Sequence, residues 1–136
     1  YEKLTQEFLH EWHKKQPINR DIVEIAKILK NNGYNLFVLS NMANQTYEYF
    51  KNDEFFSLCT GIVISAQEHV KKPDEKVYRL LLNRYNLNAE ECLFIDDDDS
   101  GKNYETANRI GIKGTRIMPN QVEDVKKLLL EFNVKI

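Results

Sequence analysis

Four consecutive aspartates, Asp96 to Asp99, stand between the apolar run Cys92-Leu-Phe-Ile95 and the dipeptide Ser100-Gly101. Adjacent carboxylates repel, so a fold that keeps them together needs a cation or cationic side chains nearby. Complementing the positive end of a following helix stabilises each acid by only about 0.3–1 kcal/mol, and the effect fades within the first turn. A divalent cation with oxygen ligands answers the repulsion more fully. Two other groups hold comparable positions. Ser40-Asn41 closes the apolar run from Leu36 to Leu39, and Lys72 ends the polar loop that follows Gly61 to Ser65. Taken singly, Ser40 or Asn41 suits a helix cap and Lys72 a solvated loop charge. Taken together, a phosphate bridging a cation, a lysine and a serine hydroxyl would use all three groups.

The short apolar runs 36–39, 61–65 and 92–95 each have the length and continuity of a strand buried on both faces. A fourth run, Gly114 to Met118, predicts another strand. Between them lie helical patterns. Asp21 leads a helix stopped by Asn31-Asn32-Gly33, and residues 44–51 form another with Tyr47 and Phe50 inward. Pro73 presets the first turn of a helix over 75–85, with Val77, Leu80, Leu81 and Leu82 as its apolar set. The last two helices cover about 103–110 and the residues from Val122 to Leu130. Strands alternating with helices predict an α/β, Rossmann-like, three-layer α/β/α fold with a parallel sheet. In such folds ligands bind at the carboxyl ends of the strands, where Ser40, Lys72 and the acids would meet. Residues 1–15 carry Leu4, Phe8, Leu9 and Trp12 at helical spacing, and Pro17 separates this first helix from the next.

At 136 residues and 42% hydrophobic content, the chain can bury a real core as one domain. A net charge of −2, with no basic block, argues against nucleic acid as the main partner. No apolar run approaches a membrane span. Two cysteines in apolar surroundings, Cys59 and Cys92, predict no disulfide framework and a reducing, cytoplasmic setting. His10, His13 and His69 share no ligand spacing. Asp96-x-Asp98-x-Ser100-Gly101 mimics the start of a calcium loop, but position twelve is Ala107 and the entering segment reads as strand.

The ordered trio resembles the carboxyl-terminal part of the haloacid dehalogenase (HAD) superfamily, especially its aldose-phosphate phosphatase-like and epoxide-hydrolase-amino-domain-like branches. Gly33 to Asn41 looks like the second motif, whose serine hydrogen-bonds the transferring phosphoryl group. Ile64-Ser65 through Tyr78 looks like the third, with Lys72 in the conserved-lysine role. Cys92 to Ile112 looks like the fourth, whose paired acids hold Mg2+. The resemblance runs from about Ile22 to the end. It implies a Mg2+-dependent phosphatase acting on a small phosphorylated metabolite, with Lys72 as the catalytic lysine and Ser40, Asn41 and Lys72 as substrate-binding residues. Residues 1–17 would be the end of a helical cap and residues 18–136 the HAD-like core.

Two features depart from the family pattern. The family's nucleophile is an aspartate in an Asp-x-Asp motif on an initial strand, and no aspartate precedes Asp21 here. The sheet is therefore expected to lack its first, central strand, leaving the strands that end at Ser40 and Ile95 as unpaired edges. That predicts a piece of a longer polypeptide, or self-association that completes the sheet. The second departure is the acid run itself. Counted from the strand, the metal-binding pair is Asp96-Asp97; counted back from Asn103 and Ala107, it is Asp98-Asp99. The strand end fixes where a side chain points, which favours Asp96-Asp97. The alternatives are a catalytically silent HAD-like binding module or fragment, suggested by the absent nucleophile, and a dehalogenase, which would need no Mg2+ and so leaves the acid pair without a use.

Overall fold

The computed structural model describes residues 3–6, 19–117 and 122–136. Among the described residues five strands form one sheet: β1 (Lys3–Gln6), β2 (Asn35–Ser40), β3 (Gly61–Ile64), β4 (Cys92–Asp96) and β5 (Lys113–Arg116). Their spatial order is β3-β2-β1-β4-β5, and every neighbouring pair is parallel. The helices are α1 (Arg20–Asn31), α2 (Asn44–Phe50), α3 (Glu54–Ser57), α4 (Ser65–Glu68), α5 (Glu75–Arg84), α6 (Lys102–Arg109) and α7 (Val122–Glu131).

Strand alternation divides the core into two layers. Leu36, Val38, Leu93 and Ile95 face one cluster, built with Ile22, Ala26 and Leu29 of α1, Phe55 and Phe56 of α3, and Val125 and Leu129 of α7. Phe37, Leu39, Cys92 and Phe94 face the other, with Val77, Tyr78 and Leu81 of α5 and Ala107 of α6. This is the three-layer α/β/α arrangement the alternation predicts. Runs such as Leu36 to Leu39 are apolar at every position because both of their faces are covered.

Local chemistry sets the helix limits. The Asn19 side chain accepts from the Asp21 N–H to start α1, and Gly33 just beyond its end has φ of 91°, open to glycine without strain. Asp74 caps α5 through the Lys76 N–H at 2.9 Å, so Pro73 lies before the cap rather than in the first turn. In α7, Val125 and Leu129 are buried while Leu130 is exposed, being turned off their stripe by about 100° per residue. Ser65, expected to end the strand, and residues 66–68, expected as loop, make the short helix α4, ended by His69 in the left-handed region.

The amino-terminal expectation needs correction. Residues 3–6 belong to a strand at the centre of the sheet, not to a cap helix. Leu4 pairs with Leu36 on one side and Leu93 on the other, so β2 and β4 are not the unpaired edges expected from a missing first strand. An isolated helix would leave two adjacent apolar strands with unpaired backbone groups, and hydrogen bonding on both sides outweighs a weak helical periodicity over four residues. The remainder of the expected cap, including Phe8, Leu9, Trp12 and Pro17, lies outside the described residues, as does Met118.

Candidate active site

The carboxyl ends of β2 and β4 stand on either side of β1, about 10 Å apart at two strand spacings. Gln6, the last residue of β1, is level with Val38 and Ile95, so Ser40 and Asp96 project beyond it. By strand parity Ser40 leaves the sheet on the Leu36–Val38 face and Asp96 on the Cys92–Phe94 face. A ligand seated beyond the strand ends is reached from both.

Asp96 is only 3% exposed, and both of its carboxylate oxygens accept hydrogen bonds. Lys72 Nζ donates to its Oδ1 at 3.0 Å, while Asn103 Nδ2 and the Asp98 N–H donate to its Oδ2 at 3.0 and 3.1 Å. The Lys72 side chain is equally buried, and Nζ stands 5.5 Å from the centre of the Phe94 ring. A buried ion pair balances a large desolvation cost only when its remaining polar sites are filled, which the Asn103 amide and the backbone do on the acid side. The Lys72–Pro73 peptide is cis. Its burial and its pair with Asp96, at the end of β4, show that Lys72 is no solvated loop charge.

Around this pair lies a supporting layer. Tyr78 of α5 donates its hydroxyl to the Asn103 carbonyl at 2.8 Å. Burial first, and then the charges of Asp96 and Asp98, push the Tyr78 phenol up, so it stays a donor. Asn41, expected to bind substrate, has its carboxamide engaged with the Lys72 backbone: Nδ2 donates to the carbonyl and Oδ1 accepts from the N–H, both at 2.9 Å.

Ser40 differs from all of these. It is 1% exposed, and its Oγ is the buried side-chain polar atom without a hydrogen-bond partner among the described residues. Leaving such a hydroxyl unpaired costs about 1–3 kcal/mol, so it marks either stored cost or a position reserved for an acceptor.

The acid run divides in two. Asp97 follows Asp96 inside, 7% exposed. Asp98 accepts from the Ser100 hydroxyl at 2.6 Å and from the Asn103 N–H at 3.4 Å. Partial burial opposes its ionisation, but the bonds from Ser100 and Asn103 and the charge of Lys72 outweigh it and hold the carboxyl below the usual range. Asp99 points outward, its side chain 89% exposed, and pairs with Arg116 of β5 at 2.9 Å. Arg116 Nε also holds the Asp98 carbonyl at 2.8 Å. Gly101, with φ of 76°, then turns the chain into α6 in a conformation that side chains resist. The strand entry and the Ala107 position dispose of the calcium-loop pattern, since β4 runs directly into the acids.

Asp96 and Asp97 offer hard oxygen donors suited to Mg2+, which is commonly bound through one or two carboxylates, with water and phosphate completing the shell. Among the described residues no group of three or more His, Cys, Asp or Glu side chains could hold a metal ion by itself. The fit is therefore that of half a site. Cys59 and Cys92 form no disulfide, and burial pushes the Cys59 thiol up to about 12, as suits an inert cysteine. Sequence reasoning missed the roles of Asn103, Tyr78 and Arg116. Asn103 had a signal, seven residues after Asp96 near the start of a helix, but the Tyr78 and Arg116 contacts depend on which elements adjoin.

Residues 1–117 match the family described as haloacid dehalogenase-like hydrolase. A sesquiterpene phosphatase of Aspergillus oryzae is 25% identical over 97 residues, covering 71% of this chain and 48% of its own; the chain thus spans about half the length of this curated relative. A solved dehalogenase shares the fold with a TM-score of 0.73 and 19% identity, over 91% of this chain and 60% of the other. So does a HAD family enzyme of Bacteroides thetaiotaomicron solved with magnesium and inorganic phosphate, with a TM-score of 0.68 and 19% identity, over 82% of this chain and 57% of the other. The parallel sheet, the three strand ends and the match over most of its length agree: this chain belongs to the haloacid dehalogenase-like hydrolase family.

Proposed function

We propose that this chain is the phosphate- and metal-binding part of a Mg2+-dependent phosphatase acting on a small phosphorylated metabolite. The observation that carries the reading is the buried, unpartnered Ser40 hydroxyl at the same sheet edge as the Lys72–Asp96 pair. A phosphoryl oxygen is an acceptor that Ser40 Oγ–H can satisfy, and Lys72 supplies positive charge where oxygens gather charge during transfer. Asp96 and Asp97 would hold Mg2+, which when bound neutralises phosphate charge and orients the group for in-line attack. Asp96 also keeps the Lys72 ammonium aimed at the strand ends, while Asn103 keeps Asp96 from turning away. No aspartate precedes Asp21, so the reading assigns no attacking carboxylate within this sequence.

Several features support the wider setting. The similar phosphatase and the Mg2+- and phosphate-bound relative favour this chemistry. No helix among the described residues is long and apolar enough to cross a membrane. Cysteines outside any disulfide suit a reducing cytoplasm, and the near-neutral charge favours a small-molecule partner over nucleic acid.

The test is hydrolysis of an aryl phosphate by the full-length protein, with Mg2+ and with a chelator. Activity should collapse on chelation and fall about 100-fold or more in Ser40→Ala, the loss typical of one transition-state donor. Activity indifferent to chelation rejects the phosphatase. A dehalogenase, favoured by the shared fold of a solved dehalogenase, would instead release halide from a haloacid without Mg2+. A silent binding module, favoured by the Lys-Leu-Thr-Gln sequence of β1, would bind phosphate and turn over neither substrate.

A further inference from the structure

Asn41 stands immediately after Ser40, where β2 opens into the loop toward α2. Its carboxamide reaches 31 residues along the chain to the loop before α5 and forms two hydrogen bonds with one backbone unit. Oδ1 accepts from the Lys72 N–H and Nδ2 donates to the Lys72 carbonyl, both at 2.9 Å. An amide has one acceptor and one donor end, and this contact uses each of them once. Both backbone groups of Lys72 are thereby fixed at the point where the side chain turns inward to Asp96 at 3.0 Å.

A second tie joins the loop after β2 to the start of α4 without touching Lys72. The Met42 N–H donates to Ser65 Oγ at 3.0 Å, and the Ala66 N–H donates to the Met42 carbonyl at 3.4 Å. The segment between β3 and α5 is therefore held to the loop after β2 twice, once at Met42–Ser65 and once at Asn41–Lys72. Only the second contact specifies the direction in which the lysine leaves the backbone. A long, flexible side chain buried at 3% needs such a base, because the freedom it loses must be offset by fixed anchors at both ends.

We propose that Asn41 is a positioning residue for Lys72, its carboxamide clamping the lysine backbone so that Nζ is delivered to Asp96 at the phosphate site. The functional meaning rests on the phosphatase reading; the clamp itself does not. Ser40-Asn41 then divides its labour, with the serine offering a hydroxyl to the ligand and the asparagine fixing the cation that shares it. Loop movement at the end of β2 would reach the lysine directly.

The test is nuclear magnetic resonance of the full chain with nitrogen-labelled lysine, following hydrogen exchange of the protected Lys72 ammonium, assigned by its loss in Lys72→Met. Asn41→Ala should speed that exchange about tenfold or more, the weight of one to two lost hydrogen bonds. Ser65→Ala should lower the melting temperature yet leave the Lys72 exchange close to wild type once corrected for global stability. Asn41→Asp, which keeps the acceptor and loses the donor, covers the case in which the alanine variant does not fold, and should also speed exchange. Unchanged exchange in a folded Asn41→Ala or Asn41→Asp protein overturns the proposal, as does equal acceleration in Ser65→Ala. Absence of phosphatase activity in the full-length protein would reject the functional reading without altering this readout.

Discussion

Asp96 and Asp99 lie three residues apart and occupy opposite environments. Asp96 ends β4, is buried, and has both oxygens bound by Lys72, Asn103 and the backbone. Asp99 is exposed and shares Arg116 with the Asp98 carbonyl. An acid run that looks uniform in sequence is thus an inward half, fixed by a buried lysine, and an outward half, fixed by an arginine on the neighbouring strand. The difference shows how a loop can carry two acids beyond the family pattern without crowding the site. The Asp99 charge is met by Arg116, while the Asp98 carboxylate is held by the Ser100 hydroxyl and the Asn103 N–H.

The sharpest test of this contrast is to remove one partner from each half. Lys72→Met leaves Asp96 buried without its cation and should destabilise the chain by about 3–5 kcal/mol in urea titration. Adding Asp96→Leu should restore much of that loss, since replacing a whole buried pair is far cheaper than breaking it. Failure of the double variant to recover would mean that Asn103 and the Asp98 backbone, rather than the ion pair, dominate.

The next effect concerns metal. With Mg2+ at about 100 times its dissociation constant, binding should raise stability by about 2–3 kcal/mol. Asp97→Asn should abolish that gain in thermal melts, and Asp99→Asn should keep it. The reverse result would move the metal pair to Asp98-Asp99.

Smallest is the outward half by itself. Asp99→Asn in the absence of metal should change stability by less than about 0.5 kcal/mol, as for other exposed ion pairs, and less still in high salt. A larger loss would show that Arg116 and Asp99 hold the acid loop as firmly as Lys72 holds its start.

Much of this layout is legible in the residues. The apolar runs at 36–39, 61–65 and 92–95 become β2, β3 and β4, because a strand covered on both faces needs a continuous apolar sequence. The helices follow from 3.6-residue periodicity and caps such as Asn19 and Asp74. The order of Ser40, Lys72 and Asp96 along the chain already placed them at one sheet edge. β1 was not legible. Lys-Leu-Thr-Gln has neither an apolar run nor strong strand preference, and its place depends on pairing with β2 and β4 on either side. The Asn41 contact was not legible either, because nothing in its spacing reveals that Lys72 returns to meet it.

The sequence by itself determined the alternation of strand and helix, the two-layered core and the kinds of group that reach the carboxyl edge. Periodicity and burial preference are local properties and survive without knowledge of neighbours. Tertiary structure decided which acids turn inward, which side chain secures the lysine, and which residues fill the centre of the sheet. Those outcomes depend on hydrogen bonds between segments distant in the chain, such as Lys72 with Asp96 and Arg116 with Asp99, whose geometry exists only once the strands are side by side.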